Sequence, residues 1–331
     1  MKNNFWKGKR VLITGGAGLI GSSLAHNLFL EGSKLTLVDN LERGKLEYIE
    51  GLLSELKLLK SDLRHLSQCY QPVTNLELVI HLASKVGGIG FYQDRPFEVM
   101  TDNIKIDSNI IRASVDSGIK RFFYASSAHV YPLELQMKPE CPLISEEQAQ
   151  PANPELSYGW AKLIGEKSLH FATKEVPDFR IAMARYVGIY GKNQDFQLET
   201  GSVIPVFSHR AIRYPEVPFS IWGTGEETRS YCYIDDAIEC TKLMIEKMEE
   251  QEIVGPLNVG KQELTKIKDI ADKIVAISKK DITLQFDKSK KTTIWGQLCD
   301  CSKAKQLLGW EAETSLEEGL KVVYKDVKSR I

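Results

Sequence analysis

The sequence predicts an α/β protein: a doubly wound parallel sheet with a smaller, interleaved C-terminal unit. Three observations carry this. Short apolar runs alternate with helix-length segments through the first half of the chain, the pattern of parallel strands joined by crossover helices. The first run begins at Val11, breaks into glycines over Thr14-Gly-Gly-Ala-Gly-Leu-Ile-Gly21 and reopens as a helical segment, which reads as strand, tight turn and helix start. No internal repeat, low-complexity tract or Gly/Ser linker interrupts the order, so boundaries fall at Pro-bearing changes of pattern.

In order, strands are predicted near 10–14, 35–38, 56–60, 78–82, 121–125 and 180–186, with helices near 19–31, 97–117 and 155–175. Gly16, Gly18 and Gly21 fit G-x-G-x-x-G, and Gly15, Gly18 and Gly21 fit G-x-x-G-x-x-G. The glycines let the backbone turn tightly, approach a pyrophosphate and pack helix on strand. The helix start then presents free N–H groups and a positive dipole end. The next run, Leu35-Thr-Leu-Val-Asp39, ends in an acid suited to the ribose hydroxyls of a dinucleotide. Its charge repels a 2′-phosphate, favouring NAD over NADP; Arg43 is the competing sign, either a phosphate contact or a solvated loop arginine.

Beyond Gly191 the pattern becomes irregular, with a helix predicted near 202–213 and a turn-rich Tyr214-Pro-Glu-Val-Pro218. The run Tyr231–Ile234, a helix from Asp235 and a strand over Pro256–Val259 are predicted to return to the sheet. Helices near 265–279, 302–308 and 315–329 follow. The predicted division is therefore a dinucleotide-binding Rossmann unit over 1–188, rejoined by 231–260, and a substrate-binding lid from 189–230 and 261–331.

Composition excludes several classes. The 331 residues are 43% hydrophobic and 26% charged with a net charge of −1, which gives no electrostatic case for nucleic acid or an anionic membrane as partner. No apolar run reaches bilayer-spanning length, and the start shows no export signal, so a cytoplasmic location is expected. The six cysteines are scattered apart from Cys299-x-Cys301, without the second Cys or His pair that a metal site needs.

The ordered motifs resemble the extended short-chain dehydrogenase/reductase family, specifically its NAD-dependent nucleotide-sugar epimerases and dehydratases. They are the glycine turn, Asp62-Leu-Arg64, His81-Leu-Ala-Ser84, Ser126-Ser-Ala-His-Val-Tyr131 and Ser157-Tyr-Gly-Trp-Ala-Lys162. Trp222-Gly-Thr-Gly-Glu-Glu-Thr-Arg-Ser230, Asn258-Val-Gly260 and Leu308-Gly-Trp310 extend the resemblance over almost the whole chain. The glycine-rich Lys85-Val-Gly-Gly-Ile-Gly90 is similar to the loop of GDP-L-fucose synthases and GDP-mannose 3,5-epimerases.

The resemblance implies a cofactor site from Gly15, Gly18, Leu19, Ile20, Gly21, Asp39, Asn40, Arg43, Asp62, Leu63, Leu82, Ala83 and Ser84, completed by Tyr158 and Lys162. Asp62 caps the adenine amino group in such enzymes; a helix N-cap is its other reading. A nucleotide-diphosphate sugar is the implied partner, held by Lys85, Gly87, Gly88, Ser202, Val203 and Trp222, with Arg229 gripping the diphosphate. A homodimer through the helices near 97–117 and 155–175 is also implied.

Tyr158 and Lys162 are four apart and share a helix face. The Lys162 ammonium and a nicotinamide cation are expected to lower the Tyr158 pKa, letting it act as base on a sugar hydroxyl held by Ser127. His129 occupies the position of the family's catalytic cysteine or glutamate and is either a base at C3 or C5 of a 4-keto sugar or a hydrogen-bonded structural histidine. Ser202 stands where double epimerases carry His or Lys, Gly188 where the family has Asn, and Trp295 where an arginine is expected. Epimerisation at C4 or at C3/C5 is the favoured expectation. Ala128-His129 in place of an Asp-Glu pair argues against a 4,6-dehydratase, while a 4-oxidase or decarboxylase stays open. An NAD-sensing regulatory protein is the non-enzyme alternative, against which Ser127, Tyr158 and Lys162 count.

Overall fold

The computed structural model describes residues 5–290 and 293–331. Its strands are β1 (Arg10–Thr14), β2 (Lys34–Asp39), β3 (Lys57–Lys60), β4 (Leu78–His81), β5 (Arg121–Ser127), β6 (Arg180–Tyr186), β7 (Ile189–Tyr190), β8 (Ser220–Trp222), β9 (Thr228–Arg229), β10 (Cys232–Tyr233), β11 (Ile253–Val259), β12 (Thr265–Lys266), β13 (Gln285–Asp287) and β14 (Gly296–Gln297). The helices are α1 (Leu19–Leu30), α2 (Ser67–Tyr70), α3 (Ile89–Asp94), α4 (Pro96–Asp116), α5 (Ser157–Glu175), α6 (Val203–Arg213), α7 (Ile234–Lys247), α8 (Ile267–Ser278), α9 (Ser302–Leu308) and α10 (Leu316–Arg330).

Seven strands form one sheet in the order β11-β6-β5-β4-β1-β2-β3, every pair parallel. A parallel sheet covered on both faces needs near-continuous apolar strands, and alternation then divides each strand between two cores. Val11, Ile13, Leu37, Ile80, Phe123 and Ala182 enter one core. Leu12, Val38, Val79, Phe122, Tyr124 and Ile181 enter the other. The first face receives α1 and α7, and the second receives α4 and α5, which pack on each other. Pro96 opens α4 at a position where its missing N–H has no intrahelical acceptor.

The expected strands and helices are present to within two or three residues, with one difference in connectivity. Cys232–Tyr233 does not join the large sheet but pairs in parallel with Ile189–Tyr190. Only Ile253–Val259 returns, as the edge strand beside β6, and it starts three residues before the predicted Pro256. Its register shifts between Val254 and Leu257, where Pro256 lacks the N–H that a ladder requires. The remaining short strands form small sheets, β12-β9-β14 and β13-β8, and α6 packs with α8 and α10.

Candidate active site

Strand register builds the site's floor. Thr14 lies opposite Val38 and His81, His81 opposite Tyr124 and Ser127 opposite Tyr186. The glycine turn, Asp39, the Leu82–Ser84 segment and Ser127 therefore leave the sheet along one carboxyl edge. Strand order reverses there, between β1 and β4, the place where open α/β sheets bind ligands. Gly15 has φ +67°, and a Cβ on it would lie 2.9 Å from the Ala83 nitrogen. A Cβ on Gly21 would lie 2.1 Å from the Gly15 carbonyl oxygen. Asp39 accepts the Ala17 N–H at 3.0 Å and the Leu41 N–H at 2.8 Å; burial raises its pKa and these two donors oppose the rise.

A cleft of about 900 Å³ opens above this edge. Its walls include Gly15, Gly18, Leu19, Ile20, Gly21, Asp39, Asn40, Arg43, Asp62, Leu63, Leu82, Ala83, Ser84, Lys85 and Gly87. Ser127, His129, Tyr158, Lys162, Ser202, Val203 and Arg229 line the same cleft. Gly88 and Trp222 do not: Gly88 is turned to donate its N–H to the Thr200 carbonyl, and Trp222 lies against Gly90 with the Lys290 ammonium over its ring.

Ser127 ends β5 and its hydroxyl accepts the His129 N–H at 3.2 Å, which fixes the turn that carries His129. Helix α5 approaches so closely that a Cβ on Gly159 would be 2.0 Å from the His129 carbonyl oxygen; this glycine is what seats Tyr158 beside His129. Their rings lie 6.0 Å apart, and Tyr92 stacks on Tyr158 at 5.2 Å. Burial, with Arg229 adding repulsion, depresses the His129 pKa to about 4. Its Nδ1 is buried with no hydrogen-bond partner among the described residues, so the hydrogen-bonded structural reading lacks a partner at that atom.

The structure alters several sequence expectations. Burial raises the Tyr158 pKa, opposed by a hydrogen bond with Ser84. The expected lowering by Lys162 is missing because that ammonium pairs with Asp107 at 3.5 Å and sits over the Tyr124 ring. Lys85 does not offer its charge to the cleft: it is bound by Glu98 at 2.5 Å, Asp102 at 3.0 Å and Glu42 at 3.5 Å. Asp62 is no helix cap, since α2 starts after Leu66; its carboxylate is instead engaged by Arg64. Arg43 is a solvent-exposed loop arginine whose guanidinium is already engaged, because Asp195 holds it at 3.0 Å and the Val86 carbonyl accepts from it. Arg229 donates to the Thr228 and Ile294 carbonyls, each at 2.8 Å, and has no carboxylate partner among the described residues. Ser202 precedes α6 and accepts from Gln194. Gly188 has φ +56°, and a Cβ there would lie 2.0 Å from the Ser230 carbonyl oxygen, which accounts for glycine at that position.

Residues 11–260 match the NAD dependent epimerase/dehydratase family. The chain belongs to that family. It is thus an enzyme, and NAD is its cofactor. It is 29% identical over 334 residues to GDP-mannose 3,5-epimerase of Arabidopsis thaliana, covering 100% of this chain and 85% of the relative. It is 28% identical over 322 residues to UDP-N-acetyl-alpha-D-glucosaminuronate decarboxylase of Bacillus cytotoxicus, covering 95% and 96% of the two. The structure of UDP-glucose 4-epimerase from Thermotoga maritima, solved with UDP-glucose, superposes with a TM-score of 0.85 at 27% identity, covering 97% of this chain and 99% of that one.

The residues present fit NAD: Gly15 and Gly21 leave a cradle that a Cβ would fill, and the Asp39 carboxylate stands at the end of β2 on the cleft wall. Among cleft residues that sequence reasoning missed, Gln297 and Tyr231 carry no local signal, since chain segments far apart bring them there. Tyr92 is similar; its stacking on Tyr158 depends on how α3 docks.

Proposed function

We propose that this protein is an NAD-dependent nucleotide-sugar epimerase that works through a transient 4-keto sugar, with a GDP-sugar as the favoured substrate. The observation that carries the reading is the convergence of Ser127, Tyr158, Lys162 and His129 on the cleft that also holds the glycine turn. NAD, when bound, supplies the reversible two-electron oxidation that makes a ketone of a sugar carbinol. The chain's residues do the rest. Ser127 holds the reacting hydroxyl, Tyr158 takes its proton and later returns it, and Lys162, its charge paired with Asp107, stands on the same face of α5.

His129 is neutral at pH 7, given its depressed pKa, and its Nδ1, though buried, has no hydrogen-bond partner among the described residues to compete with a proton from the substrate. Inversion falls at C3 or C5 if His129 moves that proton, and at C4 if the keto sugar rotates before it is reduced. Arg229, half-buried on the cleft wall without a carboxylate partner among the described residues, suits the diphosphate. The likeness to a GDP-mannose 3,5-epimerase supports the GDP-sugar. A decarboxylase is the second reading, favoured by the likeness to a UDP-sugar acid decarboxylase.

Residues 1–188 with 231–260 form the NAD-binding unit, and 189–230 with 261–331 the nucleotide-sugar lid. The exposed apolar Trp160, Ile164 and Phe171 on α5 support a homodimer, and six unbonded, buried cysteines support a cytoplasmic protein. Among the described residues no helix is long and apolar enough to cross a membrane.

The test is incubation of GDP-, UDP-, CDP- and dTDP-sugars with the protein and NAD in heavy water, read by mass spectrometry and proton NMR. Deuterium at C3 or C5 of an isomer establishes proton transfer at that carbon, and loss of that label in His129→Gln assigns the transfer to His129. A C4 epimer without deuterium assigns inversion by rotation. Loss of water or of carbon dioxide, or no conversion of any sugar, refutes the epimerase reading.

A further inference from the structure

The network under Lys162 can be read by hydrogen-bond accounting. The Thr14 hydroxyl oxygen accepts the Ala83 N–H and the Leu82 N–H, each at 3.1 Å, the latter shared with the Thr14 carbonyl. Both lone pairs being used, the hydroxyl proton goes to His81 Nδ1 at 2.6 Å. His81 therefore carries its own proton on Nε2 and donates it to Asp107 Oδ1 at 3.0 Å. Tyr124 donates its hydroxyl to Asp107 Oδ2 at 2.5 Å. Gly165 leaves the room for that contact, since a Cβ on it would lie 2.1 Å from the Tyr124 hydroxyl oxygen.

Two neutral donors thus satisfy Asp107 without neutralising it. Asp107 and Lys162 are 2% and 1% exposed, and their charged atoms lie 3.5 Å apart. A buried lysine without a counter-charge gives up its proton at neutral pH. Glu166, one turn further along α5, is a weaker influence on Lys162, and its carboxylate is already held on both oxygens by Arg185. No other carboxylate faces the ammonium from β1, β4, β5 or α5 among the described residues.

We propose that Asp107 is a positioning residue of the active site: its carboxylate, oriented by His81 and Tyr124, keeps the buried Lys162 amine protonated and fixes it beside Tyr158. This rests on the catalytic reading of Tyr158 and Lys162. Burial opposes both charges, yet Lys162, His81 and Tyr124 hold the Asp107 carboxyl below the ordinary range; burial still leaves Lys162 below the ordinary lysine value, and Asp107 is the main influence that limits the fall. Because Asp107 also raises the Tyr158 pKa, the pair keeps Lys162 charged without making Tyr158 a permanent phenolate.

The experiment is a pH titration of Lys162 in NAD-loaded protein labelled with 13C at the lysine ε-carbons, the resonance being assigned as the one lost in Lys162→Arg. The wild-type amine is expected to be protonated at pH 7. In Asp107→Asn it is expected to lose its proton about one pH unit lower or more, and the alkaline limb of kcat/KM is expected to move down with it. An Asp107→Asn titration within a few tenths of a unit of wild type overturns the proposal. Should that variant not fold, the wild-type titration decides: an amine already neutral at pH 7 overturns the proposal, and a charged one sustains it. If Tyr158→Phe proves fully active, the catalytic reading fails on its own, because the titration requires no turnover.

Discussion

Replacing Gly21 by alanine tests how the glycine turn holds NAD. The new Cβ would lie 2.1 Å from the Gly15 carbonyl oxygen and 2.8 Å from Gly16 Cα, against a lower limit of 3.0 Å for real side-chain carbons. Helix α1 must recede by about 1 Å, since repulsion rises steeply inside contact distance. The turn can yield little on its far side, where the space beside Gly15 is too small for even a Cβ, which would lie 2.9 Å from the Ala83 nitrogen. A backbone N–H bonded to a charged phosphate contributes about 1.5–3 kcal/mol. Misplacing two of them costs about 3–6 kcal/mol, which weakens NAD binding by roughly 10²- to 10⁴-fold. Calorimetric titration of NAD into cofactor-stripped protein measures this. Gly51→Ala, with nothing within 4 Å of its Cβ position, is the matched control and should bind as wild type. A Gly21→Ala protein that folds and binds NAD with unchanged Kd would refute the reasoning.

Three further outcomes are expected. Tyr158→Phe should lower kcat by about 10²- to 10⁴-fold, the range for a lost general base, while NAD affinity by the same calorimetry changes little; full activity would remove Tyr158 from the chemistry. Glu166→Ala should destabilise the fold by about 3–5 kcal/mol in chemical denaturation, because it strands the buried Arg185 guanidinium that Glu166 binds at 2.7 and 2.9 Å. A loss below about 1 kcal/mol would mean that Arg185 is solvated. His129 has a folded pKa of about 4 against an ordinary 6.5, so the unfolded chain binds its proton more readily. Stability present above pH 6.5 is therefore lost as pH falls toward 4, by up to about 3 kcal/mol. His129→Gln should remove that part of the slope of denaturation midpoint against pH, and an unchanged slope would contradict the burial.

What the sequence made legible was local. The glycine turn, the acid ending β2 and the serine ending β5 are readable because each is set by a few consecutive residues and by strand order. Tyr158 and Lys162 are readable because helical spacing puts them on one face. Contacts made across the fold were not readable. Lys85 looked like a cation for substrate, but its three acidic partners come from the loop after β2 and from α4. Arg43 is turned from the cofactor question by Asp195, 152 residues away. Asp107 reads in sequence as one polar residue of an amphipathic helix; only the docking of α4 against α5 brings it under Lys162. Asp62 failed as a cap because the chain makes an Asx turn with Arg64 before any helix begins.

Transient oxidation at C4 is tested most directly with GDP- and UDP-hexoses carrying deuterium at C4, followed by mass spectrometry and absorbance of the reduced cofactor. The expected result is an isomeric product that keeps its deuterium at C4, formed more slowly than from unlabelled sugar, with no net reduction of NAD. Isomerisation with no isotope effect and loss of the C4 label to water, or accumulation of reduced NAD in step with product, would contradict it.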